Sequence, residues 1–298
     1  MRFDPRQCDA FLAAADTGSF EQAAVQLNIT PSATSQRIAA LEMELGYPLL
    51  IRSRPCRPTS AGQRLLQYLR RSRLLEAEFR AELSNGETAA INVAIAVNND
   101  TLATWLLPAL AGFLEQENMT VEILLDDQTF TYSLLEKGLA LAGVSSEPAP
   151  MRGCTVVPLG FMRYRLVAER AFATRWFGQG FQREAVLRAP VLFFDRKDKL
   201  QSDFIERRLG ILPGNYPVHY VPSSDPFVRA IRKGLGYGML PAQQYGDALQ
   251  SGELVDLCPG DYLDVPLYWH AWRVQSPKLE RLGRRIVAAA LEALGNQA

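Results

Sequence analysis

The chain has little with which to do acid–base or metal chemistry. Among 298 residues there are two histidines, His219 and His270, and four cysteines, Cys8, Cys56, Cys154 and Cys258. The cysteines are scattered and no pair stands at metal-ligand spacing, so they read as reduced thiols of a cytosolic protein. Cys56 falls where exposure would permit a redox role, with a spectator thiol as the alternative. No apolar run is long enough to cross a bilayer, and Met1-Arg2-Phe3-Asp4 lacks the apolar stretch of a secretory leader. A cytoplasmic protein without membrane contact is expected. Gly234, Gly236 and Gly238 have neither a strand before them nor a helix start after them, so they read as a helix end and turn, not a phosphate loop. No nucleophile stands beside a base in a recognisable frame. Neither an enzyme nor a bound cofactor or metal is expected.

Lysine is missing from the first 75 residues, which hold ten arginines and six acids, a local charge of +4. The remainder carries −4, so the overall balance of 32 basic and 32 acidic groups hides a basic head on an acidic body. Such asymmetry suggests nucleic-acid contact at one end.

Within that head, Phe20, Ala23, Ala24 and Leu27 recur at helical spacing behind Gly18 and the N-cap candidate Ser19. Asn28-Ile29 breaks the pattern. Thr30 can cap a second helix with Pro31 at its first position, where a missing N–H costs nothing. Ile38, Leu41 and Leu45 give this helix a buried face. Ser32, Ala33, Ser35, Gln36 and Arg37 form its outer face, with the small and hydrogen-bonding groups that reach base edges and phosphates. The helix pair by itself is equally compatible with a plain surface hairpin. Residues 48–51 then form a short apolar strand. Arg52, Arg54 and Arg57 follow, interleaved with Pro55 and Pro58, which hold the stretch extended. Three arginines on an extended loop beside a recognition helix suit phosphate or minor-groove contact, or a merely solvated basic loop. Thr59 opens the next helix.

Residues 3–65 resemble the DNA-binding domain of LysR-type transcriptional regulators through Phe11, Ser19-Phe20, Ala23-Ala24, Leu27, Ser32-Ala33, Ser35, Ile38, Leu41-Glu42, Leu45-Gly46, Pro48-Leu49, Arg52, Thr59 and Gly62. The Gln36-Arg37 order departs from the broad family. It is similar to the lysine- and arginine-responsive branch, the ArgP/LysG type that controls basic amino-acid exporters. The 55–59 stretch, Val97-Asn98, the segment 102–108, Ser223-Ser224, the segment 251–254 and Tyr268-Trp269-His270 carry the same likeness. The resemblance implies double-stranded promoter DNA, a small effector, RNA polymerase and further copies of the chain, as dimer or tetramer, as partners.

The expected architecture is an N-terminal all-α winged helix-turn-helix (1–58), a long linker helix and hinge (59–88), and an α/β effector domain (89–298). In the linker, Leu65, Leu66, Leu69, Leu75, Phe79 and Leu83 form an apolar stripe that must be buried somewhere. The resemblance implies pairing with a second copy, and the hinge is expected at 84–88. Beyond it strands alternate with helices. Strands are expected at 90–97, 121–125, 141–144, 163–168, 191–194, 218–221, 238–240 and 267–272. Helices are expected at 102–115, 132–138, 225–233 and 279–294. The alternation argues for parallel α/β subdomains. The chain would leave lobe 1 near 162 and return near 267, giving lobe 1 as 89–162 and 267–298, lobe 2 as 163–266, and a cleft like that of periplasmic binding proteins.

Ligands of such sheets lie beyond the carboxyl ends of strands. Those ends carry Asn98, Asn99, Asp100 and Thr101, then Asp126, Asp127 and Thr129, then Ser145, then Asp195, then Ser223, Ser224 and Asp225. Each is equally the kind of residue that caps helices. Convergent in one cleft, they favour a small polar ligand. Asp126, Asp127 and Asp195 would hold a cationic side chain and the helix starts a carboxylate, as lysine or arginine requires. A two-lobed solute-binding protein, or an enzyme carrying a DNA-binding head, is the alternative.

Overall fold

A computed structural model of the protein describes residues 3–83, 90–126 and 131–295. The proposed hinge, Asp127 and Thr129 lie outside the described residues.

The head is a trihelical unit with a small wing. Helix α1 (Pro5–Thr17) is capped by Asp4, whose carboxylate accepts the Arg6 N–H at 2.8 Å, and it ends on left-handed Gly18. Helix α2 (Phe20–Gln26) is capped by the Ser19 hydroxyl and α3 (Pro31–Leu45) by that of Thr30, which accepts from Ala33 N–H at 3.1 Å. Phe11, Ala23, Ile38 and Leu41 close the core between them. The wing is an antiparallel pair, β1 (Leu50–Ile51) and β2 (Arg57–Pro58). Glu42 fastens it to α3, one carboxylate oxygen accepting the N–H groups of Leu49 at 2.7 Å and Leu50 at 3.3 Å.

Helix α4 (Ser60–Leu83) follows at once. A side chain at Gly62 would collide with the Leu49 carbonyl, so glycine is what lets α4 lie against the wing. The apolar stripe expected here divides in two. Leu65, Leu66 and Leu69 belong to the head core. Leu74, outside that stripe, belongs to the core of the following domain. Leu75, Phe79 and Leu83, one turn apart, are exposed.

The α/β domain opens with β3 (Ile91–Val97). A broken helical stretch follows: α5 (Asn99–Thr101), a π-turn at Leu102–Leu106, α6 (Leu107–Leu110) and α7 (Phe113–Gln116). One helix was expected here. Pro108 has no N–H to give to the preceding turn, and the π-turn sits immediately before it. Next come β4 (Met119–Leu125), α8 (Thr131–Glu136), β5 (Ala142–Ser145) and the long β6 (Cys154–Glu169). The second lobe adds α9 (Arg170–Phe177), α10 (Arg183–Val186), β7 (Val191–Phe193), α11 (Leu200–Leu209), β8 (Val218–Tyr220) and α12 (Ser224–Arg232). It continues with β9 (Gly238–Pro241), α13 (Ala242–Tyr245) and β10 (Leu254–Asp256). Strand β11 (Leu263–Trp272) returns to the first lobe, and α14 (Pro277–Leu294) packs over it.

The sheets are mixed rather than parallel throughout. β3 pairs in parallel with β4 and β5, and β7 with β8. β11 runs antiparallel to both β5 and β6, and β9 and β10 flank the far half of β6 antiparallel. One curled sheet, β10-β6-β11-β5-β3-β4 with β9 against β6, therefore passes through both lobes. The β6–β11 ladder shifts register between Leu267 and Tyr268, whose partners are Gly160 and Pro158, so Leu159 is bulged at the passage between lobes.

Candidate nucleic-acid interface and ligand cleft

On the head, Pro31, Ser32 and Gln36 of α3 are exposed and Ser35 and Arg37 half-buried, while Thr34, Ile38 and Leu41 face inward. The polar side of α3 is therefore open to solvent. A concavity joins Ser19, Gln22, Pro31 and Ser35 to Arg52, Ser53 and Arg54 of the wing. Arg52 is oriented by Glu42 at 3.6 Å and lies 5.7 Å over the Phe20 ring. Arg54 is almost fully exposed, 3.9 Å from Glu21. The Ser19 hydroxyl, donating to Glu21 at 2.8 Å, and then Arg54 hold that carboxyl below its ordinary range. Arg57 is exposed on β2.

Two of the proposed DNA residues have structural work to do. The Thr30 hydroxyl caps α3. That of Thr59 donates to the Pro48 carbonyl at 2.7 Å and accepts the Gly62 N–H at 3.1 Å. Cys56 is buried rather than exposed, its thiol 3.2 Å from the Ala14 carbonyl. Burial pushes this thiol up, away from the thiolate that redox chemistry needs.

Between the lobes lies a cavity of about 200 Å³. From the first lobe come Asn98, Asn99, Asp100, Leu125 and Asp126. From the second come Phe194, Asp195, Asp198, Leu200, Gln201, Ser224, Phe227, Met239 and Gln244, with Tyr164 of β6 at the floor. Among the described residues that line it, four are aspartates and none is Arg, Lys or His. Asp100 clasps the lobes together: it accepts the Tyr164 hydroxyl at 2.8 Å and that of Ser224 at 2.9 Å, and Ser224 in turn accepts from the Gln244 amide at 2.6 Å. Asp195 and Asp198 shape the loop after β7. The Asp195 carboxylate accepts the N–H groups of Lys197 at 2.6 Å and Asp198 at 3.0 Å, and Asp198 accepts those of Phe194 and Leu200. Gln201 is 2% exposed, and its side-chain carbonyl has no partner among the described residues.

Six of the expected contacts thus converge: Asn98, Asn99, Asp100, Asp126, Asp195 and Ser224. Four do not. Thr101 is wholly buried, its N–H given to Asn98 at 2.8 Å in a helix cap. Ser145 is the last residue of β5, wholly buried, and its hydroxyl accepts the Glu147 N–H. Ser223 is the N-cap residue of α12 and does not line the cavity. Asp225 belongs to a separate groove with Arg229, Arg232 and Gln243. Thr101 and Ser145 are packed inside the domain, whereas Ser223 and Asp225 are exposed outside the cavity. Tyr164, Asp198, Gln201 and Gln244 were missed. Asp198 sits three residues beyond a strand end that was named, but the other three come from a long strand and two helices that gave no local polar signal.

A trihelical head with an open polar recognition face, joined by a long helix to a two-lobed domain with an interlobe cavity, defines a ligand-responsive DNA-binding protein. The chain belongs to the LysR family of transcriptional regulators. Residues 5–63 match the bacterial regulatory helix-turn-helix protein, lysR family, and residues 86–290 the LysR substrate binding domain. It is 42% identical to the HTH-type transcriptional regulator ArgP of Aeromonas salmonicida over 277 residues, 93% of each chain. The crystal structure of ArgP from Mycobacterium tuberculosis superposes with a TM-score of 0.84 at 38% identity, covering 97% of this chain and 98% of that one. Full-length LysG from Corynebacterium glutamicum with bound effector Arg gives 0.79 at 39%, with the same coverage. These relatives are named regulators, not enzymes.

Proposed function

We propose that this chain is a cytoplasmic transcriptional regulator that senses arginine or lysine and controls the gene of a basic amino-acid exporter. The observation that carries the ligand class is the cavity wall, with four aspartates and no base among its described lining residues. Such a wall attracts a cationic side chain and disfavours an anionic one. Asp126 and Asp195 receive the guanidinium or ammonium. The unpartnered Gln201 carbonyl accepts a further N–H, since a buried acceptor left without a donor is costly. The amides of Asn99 and Gln244, both lining the cavity, are the donors for the carboxylate. Support also comes from the LysG relative, whose effector is arginine.

On the DNA side, Thr30, Pro31, Ser32, Ser35, Gln36 and Arg37 enter the major groove, and Arg52, Arg54, Arg57 and Thr59 engage the backbone. The exposed Leu75, Phe79 and Leu83 pair with the same helix of a second copy, which delivers two heads to two half-sites. Dimer and tetramer both satisfy this pairing, and RNA polymerase is the further partner. Calorimetric titration of the full-length protein tests the ligand class. Saturable binding of arginine or lysine is expected; silence for both at millimolar concentration rejects it. A mobility-shift assay on the gene's own upstream region tests the DNA function.

A further inference from the structure

A cation of the protein itself reaches the acidic wall of the cleft. The Lys197 ammonium, on the loop after β7 in the second lobe, stands 3.7 Å from the Asp126 carboxylate at the end of β4 in the first. Asp126 is mostly covered, with 28% of its side chain exposed, whereas 56% of the Lys197 side chain is in solvent. Lys197 is not a cavity-lining residue; it leans in from the rim. Its backbone is not slack, because the Asp195 and Asp198 carboxylates bind four N–H groups of the 194–200 loop, that of Lys197 included. The ammonium is therefore presented to Asp126 by a tied turn.

We propose that Lys197 is a tethered competitor for the cationic end of the effector, holding Asp126 across the cleft until a bound guanidinium or ammonium displaces it. The inference rests on the reading of the cleft as a basic amino-acid site. A tether gives the lysine a fixed effective concentration at Asp126, against which free ligand must compete. The pair is half in water, where ion pairs are weak, so the penalty on ligand affinity is small, about two- to fivefold. A small penalty suits a sensor, since it sets the threshold concentration without abolishing binding. Displacement also removes one of the cross-lobe links described here, the others running from Tyr164 and Ser224 to Asp100. Ligand then replaces Lys197 as the bridge between lobes.

The test is calorimetric titration of full-length wild type and Lys197→Met with arginine and with citrulline, its uncharged isostere. Methionine keeps the length and removes the charge. Tighter arginine binding by the variant, by about two- to fivefold, with citrulline affinity unmoved or undetectable, is expected. Unchanged or weaker arginine binding would overturn the proposal, the second by making Lys197 a ligand contact. An equal gain for citrulline would also overturn it, because it would mark general loosening of the cleft rather than competition between charges. If wild type binds neither arginine nor lysine, the basic amino-acid reading itself fails, which is a separate result. Lys197→Arg, which retains the charge, should leave arginine affinity near that of wild type.

Discussion

The Arg70 guanidinium, on the linker helix, donates to the backbone carbonyl of Gly138 in the first lobe. The same group pairs with Asp16 of α1, so one side chain joins the head to the effector domain. One turn earlier Gln67 donates to the Glu136 carbonyl at 2.5 Å, and beside it Arg71 stacks 4.2 Å over the Trp272 ring. Left-handed Gly138 permits the approach, since a side chain there would strike Gln67. Glu136 ends α8, the helix that follows Asp126 in the chain. The wall of the cavity and the mooring of the linker therefore belong to neighbouring parts of one segment.

Arg70→Ala should separate sensing from response. Arginine affinity measured by calorimetry should stay within about twofold of wild type, whereas the arginine-dependent change in DNA affinity should shrink severalfold, on the scale of ordinary site-to-site coupling. Fluorescence anisotropy on labelled promoter DNA, with and without arginine, reads the second quantity. A full response in the variant would remove Arg70 from the coupling.

Arg52 and Gln36 should fail in different ways. Loss of a phosphate contact in Arg52→Ala should weaken binding on every sequence and lower the salt slope by about one unit. Gln36→Ala, on the exposed face of α3, should change the ranking of operator variants while the slope holds. Identical behaviour of the two would contradict the division between helix and wing.

Exposed Phe79 and Leu83 should carry oligomerisation. Phe79→Asp with Leu83→Asp places charge on a surface that pairing must dehydrate. Analytical ultracentrifugation should show a shift towards monomer, with DNA affinity reduced at least about tenfold because two half-sites are no longer bound together. An unchanged assembly would place the interface elsewhere.

His270 gives the stability an acid limb. It is 1% exposed on β11, with Nε2 2.8 Å from the Glu147 carbonyl and the Tyr132 ring edge-on at 5.5 Å. Burial holds its pKa below the usual imidazole value. The unfolded chain therefore binds this proton more readily than the folded one. The stabilisation is complete above about pH 6.5, the unperturbed imidazole value, and is lost as pH falls from there towards the lower folded value. Urea melts of His270→Gln, which keeps a donor for Glu147, should show a flatter profile from pH 7 to 5. A slope equal to wild type would assign the acid sensitivity to another group.

Local chemistry made much of this legible. The caps of α2 and α3, the proline at the start of α3 and the spacing of Ile38 and Leu41 are nearest-neighbour effects, and the sequence carries them openly. Most strands of the effector domain were legible for the same reason, as short apolar runs between polar turns, but β10 and the 154–162 half of β6 were not. Helices α9 and α11 were not, because their apolar faces mix with arginines whose burial only tertiary packing decides. In the cleft, residues at strand ends such as Asp126 and Asp195 could be named from position alone. Tyr164 could not: it lies mid-strand, and its meeting with Asp100, 64 residues away, depends on the curl of the sheet. Thr101 and Ser145 looked identical to their neighbours in sequence, and only the direction of the side chain separates cap from contact.

The bulge at Leu159 bears on how the domain moves. A pair of lobes joined by slack loops swings freely, but here the passage is a ladder of strands hydrogen-bonded on both sides of the irregularity. Bending such a ribbon works against a restoring force, so a change in the angle between the lobes is a small, elastic distortion. Lobes suspended in this way return to their starting angle without refolding any element.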